Sequence, residues 1–262
     1  MSLGAVRELL RNSWFEVSGV RLPRVLLGTS PFIGAGQFGP RASAYARAFY
    51  NRPDRVASII VACAELGIMG IQPLPYGFIV EAIRRAQREL GVEFVLVGTI
   101  GPWDPLGDLR AYDGLALRAA LTHGALTDTA SGEELKAILG AIRNEGLLAG
   151  YVTHAPMKLI RRLQAGELPR PDLIMLPFNA LGYLMDAPPD QLAGALRQLG
   201  LPVIGKKVLA AGRLRPDEAF RFALGFGILS GLAIGMVSRE EAEETLTSLA
   251  LAMRDARWPT KH

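Results

Sequence analysis

Eight short, almost wholly apolar runs recur along the chain, separated by longer stretches with helical periodicity. They read RVLLGTS (24–30), GIMGIQPL (67–74), EFVLVGT (93–99), AALTHG (119–124), AGYVTH (149–154), DLIMLPF (172–178), PVIGKKVL (202–209) and GLAIGM (231–236). A strand with one wet face alternates apolar and polar residues. Runs such as FVLVG and LIMLPF do not, and so belong to strands covered on both faces, as in a parallel sheet with helices outside. Eight such β/α units in 262 residues predict an α/β protein, a single (β/α)8 TIM-barrel domain over residues 1–262. An open doubly wound sheet is the alternative topology.

The intervening stretches carry helix boundaries. Ser131 precedes two glutamates, Pro216-Asp217-Glu218 opens another helix, and Gly91, Gly146, Gly166 and Gly200 each stop a helical pattern, as left-handed caps do. Ahead of the first unit, WFEVSGVRLPRV has a Ser-Gly turn between two apolar-rich runs. It predicts an N-terminal β-hairpin plugging the barrel bottom. The longest connection, Pro31 to Pro53, contains a helical pattern, SAYARAFY, and the segment GAGQFG. The latter matches G-x-G-x-x-G literally. However, Pro31 and Phe32 precede it, Pro40 and Arg41 follow it, and no acidic residue ends the second strand. A dinucleotide fingerprint needs the glycines to run straight into a helix N-terminus, so the segment is read as a flexible loop over the barrel mouth.

Composition narrows the class. Lys and Arg outnumber Asp and Glu by 29 to 25, without the dense basic run and interleaved aromatics of a nucleic-acid binder. No apolar run reaches the roughly 20 residues of a membrane helix, and the N-terminus lacks the apolar core of a secretory signal. A cytoplasmic protein with a small-molecule partner, an anion among the candidates, is expected, with no nucleic-acid or membrane partner. The lone Cys63 permits no intrachain disulfide.

Active sites of such barrels lie at the C-terminal ends of the strands. The polar residues there include Gln72, Tyr76, Thr99, His123, His154, Asn179, Lys206, Lys207, Ser238 and Arg239. Two of the three histidines fall at strand ends; the third is His262. Successive strand residues face opposite ways, so one of Lys206 and Lys207 is expected to face the interior and the other to point away. A charge aimed inward needs a partner or a ligand.

These segments resemble the aldo-keto reductase superfamily from about Val25 to Leu249. VLLGTSPF is similar to its first strand, and GIMGIQPLPYG to the segment that carries an aspartate and a tyrosine. ALTHGALTD is similar to the strand with its histidine, here His123, and IRNEGLLAGYVTHAP to the fifth unit. LPFNALG, VIGKKVLAAGRLRPDEAFRFAL and AIGMVSREEAEETL are similar to the last three units. The resemblance implies an NADP-dependent oxidoreductase acting on a small carbonyl compound. His123, Tyr76 and Lys207 would be catalytic, and Gln72, Thr99, His154 and Asn179 would bind substrate. Lys206, Ser238 and Arg239 would bind cofactor. The sequence departs from that pattern: Gln72 stands for the aspartate, Thr99 for the lysine and Met175 for a glutamine, and the loop to Tyr76 is one residue short.

Two alternatives follow from the same residues. One is a non-redox barrel enzyme, a lyase, isomerase or hydrolase, using His123, His154 and a strand-seven lysine, which could form a Schiff base. A zinc version of it would add Asp128; its spacing is no compact motif, and no metal is expected. The other is a binding protein on the same scaffold. For Ser238, an N-cap closed by Glu241 competes with cofactor binding.

Overall fold

A computed structural model of the chain describes residues 1–256. Its centre is a closed barrel of eight parallel strands. After an antiparallel pair, β1 (Trp14–Val17) and β2 (Val20–Pro23), come β3 (Val25–Gly28), β4 (Gly70–Gln72), β5 (Val95–Ile100) and β6 (Leu117–Thr122). The barrel continues with β7 (Leu148–Val152), β8 (Leu173–Pro177), β9 (Val203–Lys206) and β10 (Gly231–Ile234), and β10 closes on β3. All eight predicted strands are present.

Outside the barrel lie α1 (Leu3–Arg11), α2 (Ala42–Phe49), α3 (Pro53–Glu65), α4 (Gly77–Leu90), α5 (Pro105–Arg110) and α6 (Gly124–Thr127). They are followed by α7 (Gly132–Asn144), α8 (Pro156–Gln164), α9 (Pro189–Leu199), α10 (Pro216–Gly225) and α11 (Arg239–Asp255). The caps act as read: Ser131 Oγ accepts from the Glu134 amide, and Gly91 and Gly200 end their helices with φ of 63° and 62°. Helix α1 lies in a segment for which no element was predicted; Ser2 caps it and Val6 and Leu10 anchor it. None of the helices is long and apolar enough to cross a membrane among the described residues. His262 lies outside those residues.

Strand alternation divides the apolar residues into two layers. Leu26, Val97, Leu121, Val152, Met175, Ile204 and Ala233 pack together inside the barrel, while Val25, Leu27, Leu96, Ala120, Tyr151, Ile174 and Leu232 pack against the helices. The hairpin seals the bottom: Phe15, Val17 and Leu22 join the interior cluster. Its turn has φ of 48° at Ser18 and 81° at Gly19, the two consecutive left-handed residues that match a tight hairpin to strand twist.

Candidate active site

The same alternation positions the polar residues. Counting two residues on from the interior apolar layer reaches Thr99 from Val97, His123 from Leu121, His154 from Val152 and Lys206 from Ile204. These four, with Gln72, line one cavity of about 180 Å³ at the C-terminal mouth. Lys207 lines it too, so the expectation that one lysine points away fails. The strand ends at Lys206, and Lys207 adopts a left-handed backbone with φ of 56°. That conformation costs a side-chain-bearing residue about 1–3 kcal/mol and returns the amine to the mouth.

Two polar groups occupy neighbouring parts of the cavity wall, because β5, which carries Thr99, pairs with β6, which leads into His123. In one, Gln72 Nε2 donates to Thr99 Oγ1 at 2.7 Å. The position where the resemblance implies an aspartate–lysine ion pair therefore holds a neutral contact. Behind it the buried Tyr112 hydroxyl is shared between the Thr99 carbonyl at 2.9 Å and the Pro73 carbonyl at 3.0 Å.

In the other group, His123 and His154 meet edge to face with centroids 5.5 Å apart. His123 caps α6: its Nδ1 accepts from the Ala125 amide at 3.2 Å, leaving Nε2 to carry the proton of the neutral ring. Gly124 follows because any Cβ there would overlap the His154 imidazole. Asp128 at the end of α6 accepts from the His154 amide at 2.9 Å and from the Thr153 hydroxyl. Its carboxylate stands 3.9 Å from His154 Nδ1, beyond hydrogen-bond reach.

The electrostatics follow from burial beside the amines. Burial, then the charges of Lys206 and Lys207, hold both imidazoles below their ordinary value, His154 at about 3. Burial lowers Lys207 to about 8. Burial and then the Lys207 charge hold Lys206 well below the usual lysine range. Neither amine has an ion-pair partner within 4.0 Å among the described residues. A buried cation without a partner is costly, so the mouth is built for an anion, or for amines that give up their protons.

The segment expected as a loop over the mouth forms a strap of regular turns. Two 3-10 turns, Ser30–Ile33 and Gly36–Arg41, lead into α2. Gly34, with φ of 63°, lies where a Cβ would sit 2.7 Å from Ala46 Cβ. Arg41 donates to the Ala211 carbonyl, and the Tyr183 hydroxyl donates to the Gln37 carbonyl at 2.8 Å, tying the strap to the far rim.

Of the residues singled out in the sequence, Gln72, Thr99, His123, His154, Lys206 and Lys207 are brought together; four are not. Tyr76 is 38% exposed, and its ring packs 5.9 Å from Phe78 and 6.2 Å from Tyr50, outside the cavity lining. Asn179 is consumed by the Tyr183 backbone, accepting at 2.8 Å and donating at 3.0 Å. Ser238 caps α11 through the Glu241 amide at 3.1 Å, and Arg239 pairs with Glu65 on the barrel's outer surface. Sequence reasoning missed Arg41 as a lining residue and saw Glu241 only as a capping partner; both line the cavity. The GPRAS segment after the glycines was the available signal for Arg41.

No protein-family model and no curated protein matches the chain. Solved structures do. A Pseudomonas aeruginosa protein classed as an aldo-keto reductase superposes with TM-score 0.68 at 17% identity, covering 95% of this chain and 98% of its own. An aldo-keto reductase from Klebsiella pneumoniae in complex with NADP and acetate gives TM-score 0.56 at 18% identity, over 93% of this chain and 95% of its own. One from a Medee basin deep-sea metagenome library gives 0.60 at 11%, over 91% and 94%. The chain therefore has the aldo-keto reductase-like TIM-barrel fold, in a sequence far diverged from these structures.

Proposed function

We propose that this protein is an oxidoreductase of the aldo-keto reductase type that reduces a small anionic carbonyl compound with NADPH. The observation that carries this reading is the convergence of His123, His154, Lys206 and Lys207 on one cavity at the barrel mouth, with no ion-pair partner for either amine among the described residues. The positive field draws an anionic substrate, and a cavity of this volume admits a compound near the size of a benzene ring.

His123 has its tautomer set by the Ala125 amide, so it offers Nε2–H to the carbonyl oxygen. Lys207, at about 8, is mostly protonated at neutral pH and close enough to it in acidity to deliver the proton. It takes the part that the resemblance implies for Tyr76. NADPH would supply the hydride.

The residues present fit a phosphate-bearing cofactor at one place. Gly212 turns with φ of 76° along the cavity wall, and a Cβ there would meet Arg41 Nη2 at 2.7 Å. A guanidinium laid over a glycine turn beside Lys207 suits phosphate oxygens. Arg41, in place of Ser238 and Arg239, would hold them, which leaves Lys207 free for the carbonyl.

The test is a thermal-shift and fluorescence titration with NADPH, followed by NADPH oxidation over a panel of small keto acids. Micromolar binding and turnover are expected. Lys207→Met should lower kcat by roughly a hundredfold or more, and the wild-type rate should fall as pH rises through about 8. No binding at millimolar NADPH overturns the reading.

A further inference from the structure

We infer that Lys206 is a nucleophilic amine, which gives the cavity a second, non-redox activity: covalent capture of a carbonyl compound as a Schiff base. The inference shares with the proposed function the reading of this cavity as a carbonyl site. It requires no NADPH.

The geometry separates the roles of two adjacent lysines. Lys206 continues the interior face of β9, two residues beyond the interior Ile204, and its side chain reaches the cavity from within the barrel wall. Lys207 reaches it from the left-handed turn just beyond the strand. Facing the pair are the imidazoles of His123 and His154 and, behind them, the Asp128 carboxylate. Lys206 has neither a hydrogen bond from its amine to another described side chain nor a salt bridge. Only solvent in the cavity and the longer-range attraction of the Asp128 carboxylate favour its ammonium form. Burial and the neighbouring Lys207 charge both favour the free amine there, the arrangement that activates a lysine toward carbonyls.

The step balances without oxidant or reductant. The Lys206 nitrogen lone pair attacks the carbonyl carbon, forming a C–N bond. The π pair of the C=O bond moves to oxygen, which takes a proton from the Lys207 ammonium. The new nitrogen gives one proton back to Lys207. The carbinolamine hydroxyl then takes a second proton from Lys207 and leaves as water, and the nitrogen lone pair closes the C=N+ bond. Solvent restores the Lys207 proton, so carbonyl, amine and one proton yield iminium and water. The iminium accepts the electron pair of a C–H or C–C bond broken at the adjacent carbon, which is lyase or isomerase chemistry.

The experiment incubates the full chain with pyruvate and sodium borohydride, without NADPH, and maps the product by peptide mass spectrometry. Pyruvate binding is measured in parallel by calorimetry without borohydride. A reduced pyruvyl adduct on Lys206 is expected. It should disappear in Lys206→Arg, whose folding is checked by its melting curve. In Lys207→Met the adduct should form more slowly at neutral pH, with its pH dependence moved to higher pH, because the neighbouring charge is gone. Pyruvate binding without an adduct overturns the nucleophile while leaving the carbonyl-site reading intact. An adduct on Lys207 alone, or spread over surface lysines, overturns it equally. Neither binding nor adduct overturns it together with the carbonyl site. NADPH oxidation assays report on the proposed reductase reaction independently of all these outcomes.

Discussion

A glycine decides how the two imidazoles meet. At Gly124 a Cβ would collide with the His154 ring, so the absence of a side chain there lets the rings approach to 5.5 Å. Gly124→Ala should rotate His154 away while the barrel stays folded. Misplacing a positioned group by about 1 Å costs on the order of a hundredfold in rate, so kcat/KM should drop sharply with little change in Tm. Proton NMR of the His154 ring should show its titration moving up from about 3 toward the ordinary histidine range as it leaves the amines; an unmoved resonance would count against this packing account. Parity explains how far such residues were legible. His123, His154, Thr99 and Lys206 follow the interior strand positions in steps of two, a signal present in the sequence. Lys207 breaks that parity through a left-handed φ, which no residue type announces for a lysine.

Among the elements, the strap is held at both ends of the mouth. Its Arg41 reaches the Ala211 carbonyl and lies over Gly212, and the Tyr183 hydroxyl reaches Gln37 from the other side. Arg41→Ala removes a rim cation and a tie in one change. NADPH or inorganic phosphate should then bind about tenfold more weakly, measured by calorimetry at fixed salt, since any electrostatic affinity depends on ionic strength. Unchanged affinity would remove Arg41 from the anion site. The GAGQFG segment was legible as a connection over the mouth and not as a strand-to-helix turn. Its anchoring to the far rim was not legible, because that rests on contacts with Ala211 and Tyr183, more than 140 residues away in sequence. Helix α1 escaped notice for a simpler reason. It is nine residues long, too short to be stable alone in water, and it depends on docking Val6 and Leu10 against the barrel.

For the molecule as a whole, the buried amines make stability depend on pH in a definite direction. Lys207 drops from 10.5 unfolded to about 8 folded, so between those values the unfolded chain binds more protons and stability rises with pH. The ceiling for Lys207 is on the order of 3 kcal/mol. His154, lowered from 6.5 to about 3, acts in the same sense at acid pH: stability is lost as pH falls below about 6.5. Above pH 10 the buried Tyr112 and Tyr151 reverse the trend, because burial pushes their phenols up and the unfolded chain ionises first. Denaturant midpoints of the ligand-free protein should therefore climb from pH 7.5 to 9.5, and the climb should shrink in Lys207→Met. A flat profile would mean that the amines are not buried as described. The barrel itself was determined locally: eight doubly buried strands and their capped helices depend on burial and hydrogen-bonding preferences that each segment carries within itself. The mouth was decided only when the cylinder closed. A neutral Gln72–Thr99 contact, two amines with no ion-pair partner within 4.0 Å among the described residues and a strap across the mouth are relations between distant segments, and their energies depend on separations and dielectric surroundings that exist only in the folded chain.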